Sequence, residues 1–112
     1  MEAFRSLAVR SEPLVSAIHR YERANGRPPA LLKDLVPRYL SEIPTTGMGA
    51  YPRYEYLVGP MARRGYDGND WILYVDAPSG FMNWNQFFYY PNQRYPNRAS
   101  WLRLGKWAYL HE

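Results

Sequence analysis

The first part of the chain is patterned at helical spacing. Phe4, Leu7, Ser11, Leu14, Ile18, Tyr21 and Asn25 recur in alternating steps of three and four, which gathers them on one stripe of a continuous helix. The stripe predicts packing along one face. Pro13 interrupts it, and either kinks a long helix or lies in the first turn of a shorter one capped by Ser11. The pattern is strongest over residues 12–25, with 3–10 as a frayed or separate turn, and Asn25-Gly26 supplies the left-handed residue that commonly ends helices. Residues 29–36 read as a short second helix of two turns, apolar through Leu31, Leu32 and Leu35 and stopped before Pro37. Residues 44–52 are rich in breakers and read as a loop.

Beyond that loop the period changes to two. Tyr54, Tyr56 and Val58 alternate with Arg53 and Glu55, Trp71 to Val75 is a compact β-rich run, and Phe87 to Tyr90 is a third. A fourth runs from Trp101 to Leu110, with Leu102 and Leu104 facing one way and Gly105 at a bulge or bend. Short loops between neighbouring runs favour an antiparallel meander. Helices first and strands after define an α+β fold: an N-terminal amphipathic helix and a short second helix packed on a roughly four-stranded antiparallel β-sheet, in one domain over residues 1–112.

Composition narrows the chemistry. The chain has no cysteine, so disulfides, thiolate catalysis and cysteine metal sites are excluded. Its 14 basic residues against 10 acidic ones are scattered from Arg5 to Lys106, with Arg63-Arg64 the only adjacent pair, which argues against a nucleic-acid partner. A solubilising surface with guanidinium groups stacked over aromatic rings is the plainer reading. Aromatic residues make up 17% of the chain and lie mostly after residue 50, a weighting that suits an aromatic-rich surface presented to a partner and equally a thin sheet core built from large rings.

Three constellations carry candidate chemistry. His19 sits off the apolar stripe beside Glu22, in contact reach on a helix; the pair reads as a solvent-facing charge pair, with a catalytic dyad as the alternative. Asp67, Asn69 and Asp70 offer oxygens around Gly68, the donor chemistry of a calcium site, although an Asp-Gly turn between two strands needs no metal. Residues 81–95 interleave rings with side-chain amides, so that Trp84, Asn85, Tyr89 and Tyr95 are candidates for contact with a protein partner or with a glycan or other flat polar ligand. Purely structural roles compete, with the rings in a strand and the asparagines shaping turns. Paired carboxylates such as Asp67 and Asp70 are not placed in a pocket by spacing alone, and no phosphate loop, dinucleotide fingerprint or nucleophile elbow is present. A non-enzymatic role is expected.

One stretch has a family accent. Tyr21, Asn25-Gly26-Arg27-Pro28-Pro29, the Leu-rich turn from Leu31 to Leu35, Val36-Pro37-Arg38-Tyr39-Leu40 and Ile43-Pro44 resemble the soluble head of bacterial type IV pilins and type II secretion pseudopilin-like proteins, over residues 4–60. Gly65-Tyr66-Asp67-Gly68 is similar to the start of the calcium loop of some pseudopilins, without the longer glycine- and acid-rich continuation. The resemblance implies a protein–protein interaction domain of the cell envelope, periplasmic or extracellular, acting in secretion or filament assembly. That family begins with an apolar helix, whereas the apolar runs here are a few residues long and a membrane span needs about 20. Any membrane contact is therefore expected only through a segment absent from this chain. Residues 1–5 also lack the apolar stretch of a secretory signal. A ligand-binding module and a small inhibitor or immunity-type protein remain the alternatives.

Overall fold

The computed structural model describes residues 2–46, 53–76, 86–98 and 100–110, with side chains from Ser6 onward. It has the α+β architecture expected, with five strands among the described residues in place of roughly four.

Two helices, α1 (Glu2–Arg10) and α2 (Glu12–Asn25), form one bent rod that breaks at Ser11. Pro13 has no N–H to continue the ladder and its ring crowds the preceding turn, which locates the bend. The ladder is otherwise maintained, since Ser11 N–H donates to Leu7 O at 3.0 Å and Val15 N–H to Ser11 O at 2.9 Å. Ser11 is not a side-chain cap: its hydroxyl turns back and donates to Ala8 O at 2.8 Å. Gly26, with φ 77°, ends α2 and donates its N–H to Glu22 O at 2.7 Å. The expected short second helix is a single 3-10 turn, Leu32–Leu35. Prolines on both sides leave no room for a second turn, and Asp34 Oδ2 accepts the Leu31 N–H at 3.1 Å to close the one that forms.

The strands are β1 (Glu55–Val58), β2 (Trp71–Asp76), β3 (Gln86–Tyr89), β4 (Trp101–Leu104) and β5 (Trp107–Leu110), all antiparallel, in the order β1-β2-β3-β5-β4. The run from Trp101 to Leu110 is a hairpin rather than one bent strand. Gly105 adopts φ 65° and Gly105-Lys106 joins β4 to β5, so Leu104 pairs with Trp107. The chain returns with β5 against β3, which leaves β4 on the outside and breaks the meander. A further helix, α3 (Pro60–Gly65), occupies the β1–β2 connection with Ala62 buried; six residues are too few to show helical periodicity.

The ladder register places Tyr56, Leu73, Tyr89 and Trp107 in one row across the sheet. That row belongs to the main core, where the helix stripe of Leu7, Leu14, Ala17 and Ile18 meets it together with Leu35 from the 3-10 turn. The opposite face carries Ile72, Phe88 and Tyr90, wrapped by Leu57, Tyr66, Tyr74, Tyr95 and Trp101. With both faces covered, β2 reads as an unbroken apolar run instead of alternating.

Candidate functional site

Between the helical rod and the hairpin end of the sheet lies a cleft of about 940 Å³. The α1–α2 side supplies Ala8, Val9, Glu12, Val15, Ser16, His19 and Arg23, residues that recur at helical spacing along a flank of the rod adjoining its buried stripe. Tyr89, Leu104 and Trp107 make the facing wall, with the Gly105-Lys106 turn at its mouth. A smaller hollow of about 400 Å³ shares His19 and Arg23 with the cleft and continues past the end of α2 to Arg27, Pro28 and Asp70. The larger volume falls in the range of ligand and peptide sites.

The cleft floor is fixed by one long-range contact. Trp107 Nε1–H donates to Ser11 Oγ at 2.8 Å, across 96 residues of sequence. Both residues are buried, at 2% and 1% exposure. Ser11 is a polar residue set in the stripe between Leu7 and Leu14, and its hydroxyl accepts the indole N–H. Val9, in contrast, is 66% exposed on the cleft rim.

His19 is less open than its position off the stripe suggests. Its ring meets the buried Trp71 edge-on at 5.5 Å between centroids, while Nδ1 lies 3.2 Å from Glu22 Oε1. The carboxylates near the cleft are thus partly committed, with Glu22 beside His19 and Asp70 paired with Arg63 at 3.1 Å. Arg103 is also held: it caps the Tyr95 ring at 4.8 Å and donates to Gln93 Oε1 at 3.0 Å and Gly105 O at 2.9 Å. Among the described residues, the side chains of Arg23, Arg27 and Lys106 have no such partner and are exposed.

Among the described residues, the groups whose ionisation is displaced are all tyrosines. Burial pushes the Tyr54 hydroxyl up to about 12, partly opposed by Arg10, and pushes Tyr90 up to about 12 with help from Tyr66 and Asp67. Burial likewise raises Tyr56, Tyr74, Tyr89 and Tyr95. Each shift keeps the hydroxyl protonated, which suits hydrogen-bond donation rather than proton abstraction at neutral pH.

The residues singled out by sequence fall in three places. Tyr89 is in the main core, 5% exposed, with its ring stacked on Trp71 at 5.7 Å, and it reaches the cleft only as part of the wall. Tyr95 sits on the other face of the sheet and acts as a latch. Its hydroxyl donates to Lys106 O at 2.6 Å and accepts the Tyr90 N–H at 2.8 Å, and its ring stacks on Tyr90 at 4.7 Å. Trp84 and Asn85 lie outside the described residues. In the acidic loop, Asp67 adopts φ 54°, and the Asn92 amide Nδ2 donates to its main-chain oxygen at 2.9 Å. Asn69 is buried, donating to Tyr66 O at 2.7 Å and accepting the Asn92 N–H at 3.0 Å. The loop oxygens therefore clamp the 90–95 segment to the end of α3, and no cluster of three or more metal-ligating acids or histidines occurs among the described residues.

Sequence reasoning did not find the cleft. Its wall residues are split between the helix flank and a turn some 80 positions later, and the one available signal was Ser11 standing inside an apolar stripe. Among the described residues no helix is long and apolar enough to cross a membrane. The chain matches no family model, no curated protein and no solved structure.

Proposed function

We propose that this protein is a non-enzymatic protein–protein interaction domain, and that its partner docks along the cleft between α1–α2 and the β4–β5 hairpin. The observation that carries this reading is the cleft itself, which pairs a buried, hydrogen-bonded floor at Ser11 and Trp107 with an exposed apolar rim at Val9. A polar-edged cleft with an apolar, preformed base is the usual form of a recognition site.

The helix-first, antiparallel-sheet order is compatible with a pilin or pseudopilin-like head, and we propose the cell envelope, periplasmic or extracellular, as its place of action. A glycan-binding role through residues 81–95 is less favoured, since Tyr89 is buried and the Tyr95 hydroxyl is committed to main-chain partners.

Site-specific photocrosslinking in the native host tests the docking face. A photoreactive residue at Val9 on the cleft rim should yield a discrete adduct, while one at Met61, 68% exposed on α3, should not. An adduct from the Met61 position and none from the Val9 position would move the interaction away from the cleft. Fractionation of the same cells, with the adduct recovered only from cytosol, would remove the envelope assignment.

A further inference from the structure

We infer that the cleft takes an extended peptide segment of the partner, apolar over the Val9 and Val15 end and acidic where it passes Arg23 and Arg27. The inference rests on the docking reading above and adds the chemistry of what docks.

The charges in and around the cleft are unevenly matched. Glu22 hydrogen-bonds to His19 and Asp70 pairs with Arg63, and neither carboxylate forms an ion pair with Arg23 or Arg27. Arg23 and Arg27 project at one end of the cleft with no counter-ion among the described residues, and Lys106 does the same at its mouth. Glu12 lies at the far end, where an acidic ligand residue would be repelled. The site thus has a polarity, with two guanidinium groups unpaired among the described residues at the C-terminal end of α2 and an apolar stretch with one anion near its start. A ligand that complements it carries its acids at one end only.

Shape argues for a peptide rather than an acyl chain. From Val9 to Arg23 the wall runs about 21 Å along the rod, the reach of about six extended residues. Polar groups recur along that wall at Ser16 and His19, which suits a ligand with a hydrogen-bonding backbone and not a hydrocarbon tail. The facing wall includes the end of β4, the outer strand of the sheet, whose free side has no strand neighbour among the described residues. Helix on one side and edge strand on the other is the setting in which a peptide adds to a sheet.

The test is an amide NMR titration of the full chain with short blocked peptides carrying valine and alanine at one end and three Asp or Glu residues at the other. Peptides with Asn and Gln in place of the acids, and dodecanoate, serve as comparison probes. The expected result is saturable shifts of the Val9, Val15, Arg23 and Arg27 amides by the acidic peptide. R23E/R27E should weaken binding by about tenfold or more, as two exposed attractions become repulsions, R23Q/R27Q should weaken it less, and added salt should reduce it. Both variants change exposed side chains, and a melt by circular dichroism verifies that they fold.

Equal binding of the neutral peptides, with no effect of either variant, would overturn the acidic chemistry while leaving docking in the cleft intact. Stronger response to dodecanoate would overturn the peptide. Shifts of the same amides on concentrating the protein alone would give the cleft to a second copy and also overturn it. If no probe moves these amides, the inference fails; photocrosslinking at Val9 then decides separately whether the docking face itself stands.

Discussion

Replacing Ser11 with alanine removes the acceptor of a buried indole N–H. Trp107 donates to Ser11 Oγ at 2.8 Å, and both residues are almost fully enclosed. The second contact of that hydroxyl, to Ala8 O, lies within the same helical rod and leaves that carbonyl little changed when it is lost. Stranding a buried donor costs about 1–3 kcal/mol, and the better helix propensity of alanine returns at most about 0.5 kcal/mol. Ser11→Ala should therefore lose about 1–2 kcal/mol, a fall of roughly 5–10 °C in Tm for a domain of this size. Trp107→Phe removes the donor instead and adds a cavity, so its own cost is larger. The decisive quantity is the coupling: the double variant should cost about 1–2 kcal/mol less than the sum of the singles. Urea unfolding followed by circular dichroism, with all four proteins analysed at a common slope, measures it. Additive costs, with Ser11→Ala within about 0.5 kcal/mol of the native protein, would refute the reasoning. That outcome would show that water entering from the cleft satisfies the indole, and that the rod and the hairpin are held by apolar packing alone.

Other outcomes follow from the same geometry. Tyr95→Phe removes the group that joins Lys106 O to the Tyr90 N–H, so it should cost about 1–3 kcal/mol in denaturant unfolding; a neutral effect would show that the ring stack alone holds the 90–95 segment. Gly105→Ala places a side chain at φ 65°, where it meets no neighbour but strains the turn, and should cost about 1–2 kcal/mol while leaving the fold unchanged by circular dichroism. Tyr54 and Tyr90 are raised to about 12, above the ordinary value of 10.0, so the folded state holds its protons longer than the unfolded one. Their contribution is fully present below pH 10 and is lost as pH rises towards 12, so alkaline unfolding should release phenolate absorbance cooperatively in that window; gradual release with circular dichroism unchanged would contradict it. Calcium should leave Tm unchanged, because Asn69 is engaged by Tyr66 and Asn92 and Asp70 by Arg63; a rise in Tm would show that the loop rearranges to bind it.

Local patterning determined the fold class. Helical spacing from Leu7 to Asn25, the Asn25-Gly26 stop and the β-rich runs after residue 52 each depend on neighbours a few positions away, and those elements appear close to where the pattern puts them. Pro13 marked the bend for the same reason, as its missing N–H is a property of the residue itself. What depended on distant partners was not legible. The split of residues 101–110 into a hairpin, with β5 rather than β4 against β3, comes from long-range pairing that turn chemistry at Gly105 permits but does not order. The role of Ser11 required Trp107 to arrive from the far end of the chain, and the burial of Tyr89 required a helix over its face of the sheet. The cleft itself is the space left between that bent rod and the hairpin turn. Composition announced many rings; only tertiary packing decided which became core, which latch and which rim, since a ring buries equally well wherever the rest of the fold encloses it.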